Sequence, residues 1–100
     1  MSNHYVLEAD GKTPRKVDLM EWARSFEGTD RCVAVDELPN DVRVSTVFLG
    51  LNHNWGDGPP VLWETMIFGG AHDGYQDRYS SRDDAIAGHA KALQLAAEPA

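Results

Sequence analysis

Residues 42–51 read VRVSTVFLGL and residues 61–68 read VLWETMIF. Both segments are dense in β-branched and aromatic side chains, which suit a pleated, half-buried surface. In the first, Val42, Val44, Thr46 and Phe48 alternate with Arg43 and Ser45. Apolar residues then fill both faces, as in a strand central to its sheet. Between the segments lie Asn52-His53-Asn54-Trp55-Gly56-Asp57-Gly58-Pro59-Pro60, and Gly69-Gly70 follows the second. The spacing predicts two paired antiparallel strands joined by a long loop.

Working outward, residues 31–35 predict a short strand containing Cys32, and Pro39-Asn40 marks a turn before the central pair. Upstream, residues 4–9 predict a first strand closed by Asp10-Gly11, and 12–16 a polar loop. Residues 18–27 predict a helix. Leu19, Trp22, Ala23 and Phe26 fall on one face, Asp18 and Glu21 form a capping box, and Gly28 is the stop. Trp22 is read as a core anchor. Downstream, 71–77 is turn-like and Arg78-Tyr79 an edge strand. Ser80 or Ser81 caps a last helix with Asp83 and Asp84 in its first turn, where carboxylates suit the helix dipole. Ile86, His89, Ala90 and Leu93 make its apolar stripe, and Gly88 offers a close approach to the sheet.

Two amphipathic helices each need a surface to cover. The expected class is α+β: an antiparallel sheet of three to five strands with two helices packed on one face. The 100 residues fit a single domain over 1–100. Hydrophobic residues make up 42% and charged residues 25%, an ordinary globular balance that argues against disorder. The first residues lack a basic and apolar leader, and no apolar run approaches a membrane span, so the expectation is a cytoplasmic protein without a membrane partner.

The chemistry-bearing residues point away from an enzyme. Cys32 is the one cysteine, so no disulfide forms within the chain, and a strand cysteine reads as a small buried hydrophobe. His4, His53, His72 and His89 fall in no metal spacing; His53, His72 and Asp73 would be the set if two loops met. His89, on an apolar stripe, reads as packed and hydrogen-bonded. Glu64 inside an apolar strand needs a partner, and Arg43 on the neighbouring strand is the expected one. No phosphate-binding glycine loop or nucleophile motif occurs. The expectation is no catalytic residue, no cofactor and no metal.

The net charge is −7, from 16 acidic and 9 basic residues. Residues 1–25 are neutral, with four of each sign, so everything after them carries the excess. Such a surface repels nucleic acid; it either serves solubility alone or docks on a basic, nucleic-acid-binding partner. The expected partner-binding residues are Asp36, Glu37 and Asp41 in one loop, Trp55 and Asp57 in another, and Asp73, Asp77, Asp83 and Asp84 near the last helix.

The block VSTVFLGLNHNWGDGPPVLWETMIFGG (44–70) and its sequel YQDRYS (75–80), with Trp22-Ala23-Arg24, resembles a family of short uncharacterised phage and prophage proteins of actinobacteria and proteobacteria. Its span is about two-thirds of the chain. The resemblance assigns no activity to any residue. It implies a phage origin, and small acidic phage proteins include inhibitors of host CRISPR–Cas complexes. The expectation is therefore an anti-CRISPR that blocks target-DNA binding by a type I Cas complex through an acidic surface. The alternative is a phage accessory or structural protein that binds a phage partner, or itself, through apolar surface.

Overall fold

The computed structural model describes residues 3–25, 27, 31–39, 41–54 and 58–97. Its elements are β1 (His4–Leu7), β2 (Pro14–Val17), α1 (Leu19–Ser25), β3 (Cys32–Leu38), β4 (Val42–Phe48), β5 (Trp63–Phe68), β6 (Gln76–Tyr79) and α2 (Arg82–Ala96). The class is α+β. Strands β3-β4-β5-β6 form a four-stranded antiparallel sheet in chain order, and β1-β2 a separate hairpin. Tyr5 N–H donates to the Gly50 carbonyl at 2.7 Å, and a bridge joins His4 to Leu51, so the hairpin is tied to the chain just beyond β4.

The two decisive segments pair at the sheet centre as expected, with Val44 opposite Ile67, Thr46 opposite Thr65 and Phe48 opposite Trp63. Those six side chains face α2 and are buried. Arg43, Ser45 and Val47 point the other way and are exposed or half-buried. Burial on β4 therefore follows strict alternation, not the two-faced burial that its apolar content suggested. The reason is that one helix layer covers one face.

α2 starts at Ser81, whose Oγ accepts the Asp84 N–H at 3.0 Å. Its buried residues are Ala85, His89 and Ala92, with Leu93, Leu95 and Ala96 packed beside them. The expected stripe is thus shifted: Ile86 is 44% exposed and Ala90 is exposed. Small residues turn inward because the sheet supplies the bulk, through Trp63, Phe48 and Ile67.

α1 covers the hairpin, contacting β1. Asp18 caps it by accepting the Glu21 N–H at 2.8 Å, and Arg15 on β2 reaches Glu21 at 2.9 Å. None of its residues is buried; Leu19 is 55% exposed, and Trp22 is half-buried with its ring 5.0 Å from that of His4. Trp22 is therefore a flank and not a core anchor, because a seven-residue helix over a two-stranded ribbon has little core to enter. Phe26 and Gly28 lie outside the described residues.

Three further expectations are corrected. The polar stretch 12–16 supplies β2, because the Asp10 carboxylate makes a tight hairpin tip by accepting from Lys12 N (2.9 Å), Thr13 N (2.9 Å) and Thr13 Oγ1 (2.5 Å). Cys32 is exposed, at the start of edge strand β3. Glu64 is bonded by Arg78 Nε at 3.0 Å and Gln76 Nε2 at 2.6 Å; Arg78 lies directly opposite it in the register, whereas Arg43 faces Phe68.

Candidate functional site

The core is built in three layers along β4, β5 and α2. Val42, Val44, Ile67 and Ala92 form one apolar cluster, and Phe48, Leu62, Trp63 and Ala85 the other. Thr46, Thr65 and His89 lie between them, each buried. His89 Nδ1 is 2.7 Å from Thr46 Oγ1, which is 2.5 Å from Thr65 Oγ1; His89 Nε2 is 2.8 Å from Asp36 Oδ2. An ionised carboxylate only accepts, so in the neutral ring the proton sits on Nε2 and Nδ1 accepts from Thr46. Thr46 then accepts from Thr65. Both His89 ring nitrogens and both threonine hydroxyls thus have a partner, which is what a buried polar group requires.

An Asp–His–Thr order resembles a nucleophile with its base and orienting acid. Here Thr46 has zero exposure and is roofed by α2, so no substrate atom can reach its hydroxyl. The layer holds the helix in register on the sheet. Sliding α2 by one turn would press the His89 imidazole into an apolar cluster and take from Thr46 its bond to the ring.

The acidic residues expected to bind a partner do not share one face. Asp36 and Glu37 belong to β3, not to a loop, and adjacent strand residues point to opposite faces. Asp36 faces α2 and bonds His89, while Glu37 pairs opposite Arg43 on the uncovered side. Asp41 occupies the β3–β4 turn with φ 61°, and Asp73 the β5–β6 turn, where its carboxylate accepts the Gly69 N–H at 2.7 Å. These two turns touch. A Cβ on Gly69 would stand 2.5 Å from the Asp41 carbonyl oxygen, and Gly69 has φ 87°. Glu37, Asp41 and Asp73 thus gather at one end of the sheet. Asp77 sits on edge strand β6 opposite Thr65. Asp83 and Asp84 lie at the start of α2, at the other end.

Trp55 and Asp57 lie outside the described residues. The flanks of their loop are pinned: Asn52 Oδ1 accepts from Asn54 N (2.8 Å) and Val61 N (3.0 Å), and Asn54 Nδ2 donates to the Pro59 carbonyl (3.0 Å). His53 N–H donates to the Val61 carbonyl just before β5, whereas His72 and Asp73 follow the end of β5. A six-residue strand is about 20 Å long, so His53 does not meet the other two. Among the described residues no three His, Cys, Asp or Glu side chains come together as a metal set. None of the described helices is long and apolar enough to cross a membrane.

Sequence reasoning missed the polar layer and the second face of the sheet. The layer had a signal: Thr46 falls on the core-facing alternation of its strand, and His89 sits among Ala85, Gly88 and Ala92 at helical spacing. The second face, α2's far side of the sheet, carries Val35 (47% exposed) and Phe68 (45% exposed) beside Ser45, Val47 and Met66. No family model matches this chain, and neither the curated proteins nor the solved structures hold a match to it.

Proposed function

We propose that this chain is a phage-encoded, non-enzymatic binding protein that inhibits a host defence complex by laying its acidic turn end in a basic groove meant for nucleic acid. The observation that carries the reading is that the Asp41 turn and the Asp73 carboxylate both border Gly69, with Glu37 nearby on β3, at the end where α2 presents its C-terminus. A helix C-terminus carries about half a negative charge. The last turn of α2 holds no basic residue to offset it. Asp83 and Asp84, by contrast, sit at the positive end of the same dipole, which neutralises part of their field. A type I Cas complex is the partner proposed by analogy with other small acidic phage proteins, and blocked DNA binding is the expected effect.

The test is pull-down of the host complex with the wild-type chain and with Asp41→Asn plus Asp73→Asn. Asparagine keeps the turn geometry and removes the charge. Binding should weaken in the variant and fall as salt rises, because exposed charges are screened over about 8–10 Å. Unchanged CRISPR interference against every system in the natural hosts ends the anti-CRISPR reading. One observation favours the accessory or structural reading instead, namely the exposure of Val35 and Phe68 on the uncovered face. Binding through that apolar surface would barely respond to salt.

A further inference from the structure

We propose that the Asp36–His89–Thr46–Thr65 layer is a pH-sensitive clasp: a second proton on the His89 ring reverses the hydrogen bonds through both threonines and turns the tie between β3 and α2 into an ion pair. Histidine is the side chain that ordinarily changes charge near neutral pH. His89 is 5% exposed, yet its Nε2 lies 2.8 Å from a carboxylate that is half in solvent. β3 has no buried residue, and this bond fastens it to the helix.

The protons balance. In the neutral layer Thr65 donates to Thr46, Thr46 donates to Nδ1, and Nε2–H donates to Asp36. The added proton occupies Nδ1, which then donates to Thr46 Oγ1. Each threonine keeps its own proton and swings it about the Cβ–Oγ1 bond. Thr46 now donates to Thr65, and Thr65 needs an acceptor. The Tyr79 hydroxyl supplies it. That hydroxyl is buried and has no hydrogen-bond partner among the described residues, and Thr65 lies close enough to ease its ionisation. The Gly88 slot brings it against the helix one residue from His89. Protonation therefore costs the layer no hydrogen bond, whereas a cation in an apolar pocket meets the full desolvation penalty. The charged and titratable groups on the helix-facing side of the sheet suit a cation. Asp36 comes from β3, none from β4 or β5, and Asp77 and Tyr79 from β6, with Tyr75 just before it. Arg43 and Arg78 belong to the opposite face.

The clasp is independent of the binding role proposed above. Two variants leave the Thr46–His89–Asp36 bonds of the neutral layer and remove what the charged layer needs. Asp36→Asn still accepts from Nε2–H but brings no charge. Thr65→Val takes away the hydroxyl that receives the reversed Thr46 bond. Imidazole nitrogen NMR spectra of the folded protein, followed from about pH 8 to about pH 5, read the ring directly. The wild-type ring should pass from the Nε2–H tautomer to a ring protonated at both nitrogens while the amide spectrum stays dispersed. In each variant the proton affinity of His89 should fall about tenfold. Thr65→Ser, which restores the hydroxyl, should bring it back. Should Thr65→Val fail to fold, Asp36→Asn, at a half-exposed side chain, carries the comparison. A wild-type ring that stays neutral until the protein unfolds overturns the clasp. So does an Nδ1–H tautomer at the alkaline end, or a folded variant of either kind that takes up the proton as the wild type does.

Discussion

The hydroxyl of Tyr79 occupies the space where a Cβ on Gly88 would stand. Tyr79 ends β6 and Gly88 lies mid-way along α2, so the missing side chain lets the phenol slot under the helix. In an exposed helix, alanine in place of glycine gains about 1 kcal/mol. Here the whole phenol would have to move, and overpacking costs about 1–3 kcal/mol. The expected outcome for Gly88→Ala is net destabilisation, measured by urea unfolding. A stabilised variant would mean that Tyr79 leaves its slot easily.

The polar layer predicts coupling between helix and sheet. Thr46→Val keeps the shape but leaves His89 Nδ1 and Thr65 short of a partner, at a cost of about 1–3 kcal/mol. His89→Ala also opens a cavity and should cost more. In the double variant the orphaned groups are shared, so the two losses should add to less than their sum, by roughly 0.5–3 kcal/mol in a double-mutant cycle. Additive losses would show that the imidazole and the hydroxyl act separately.

Tyr79 and Tyr75 predict sensitivity to alkali. Burial raises both phenols above 10.0; near Tyr79 the Thr65 hydroxyl partly opposes the shift, while the Asp77 charge adds to it for both. An acid whose folded pKa is raised favours the neutral form in the folded state. Its contribution is complete below the unfolded value near 10 and is lost as pH rises above it. Ultraviolet titration should show late-titrating tyrosines, and Tyr79→Phe should lessen the alkaline loss of stability. The same loss in that variant would assign the effect elsewhere.

The hairpin tip predicts an opposite shift. Bonds from the Thr13 hydroxyl, then from the Lys12 and Thr13 amides, hold the Asp10 carboxyl at about 2. A depressed carboxylate stabilises the fold above its ordinary value of 3.8, and the contribution is lost as pH falls towards 2. Carboxyl NMR titration should place Asp10 near this value, and Thr13→Val should move it up. An unmoved Asp10 would show that the backbone amides suffice.

The α+β class and the pairing of β4 with β5 were legible because both rest on local chemistry. β-Branched residues, alternation and a glycine-proline loop mark strands wherever they occur. The caps Asp18 and Ser81 were legible for the same reason, since each acts on an amide three residues away. Misplaced features depended on what lay across from them. Leu19 and Ile86 have helical apolar spacing, yet α1 meets only a small hairpin and α2 turns its alanines inward against bulky sheet residues. Cys32 is apolar but starts an edge strand.

By itself, the sequence determined the net charge, the strand and helix types and the glycine at position 88. The tertiary structure decided which charges act together. Asp36 and Glu37 are neighbours in the chain, but the strand period of two sends one to His89 and the other to the opposite face. Asp41 and Asp73 lie far apart in sequence, but antiparallel pairing folds both turns to one end of the sheet. Such pairings come from register between strands, a long-range property that no single segment encodes.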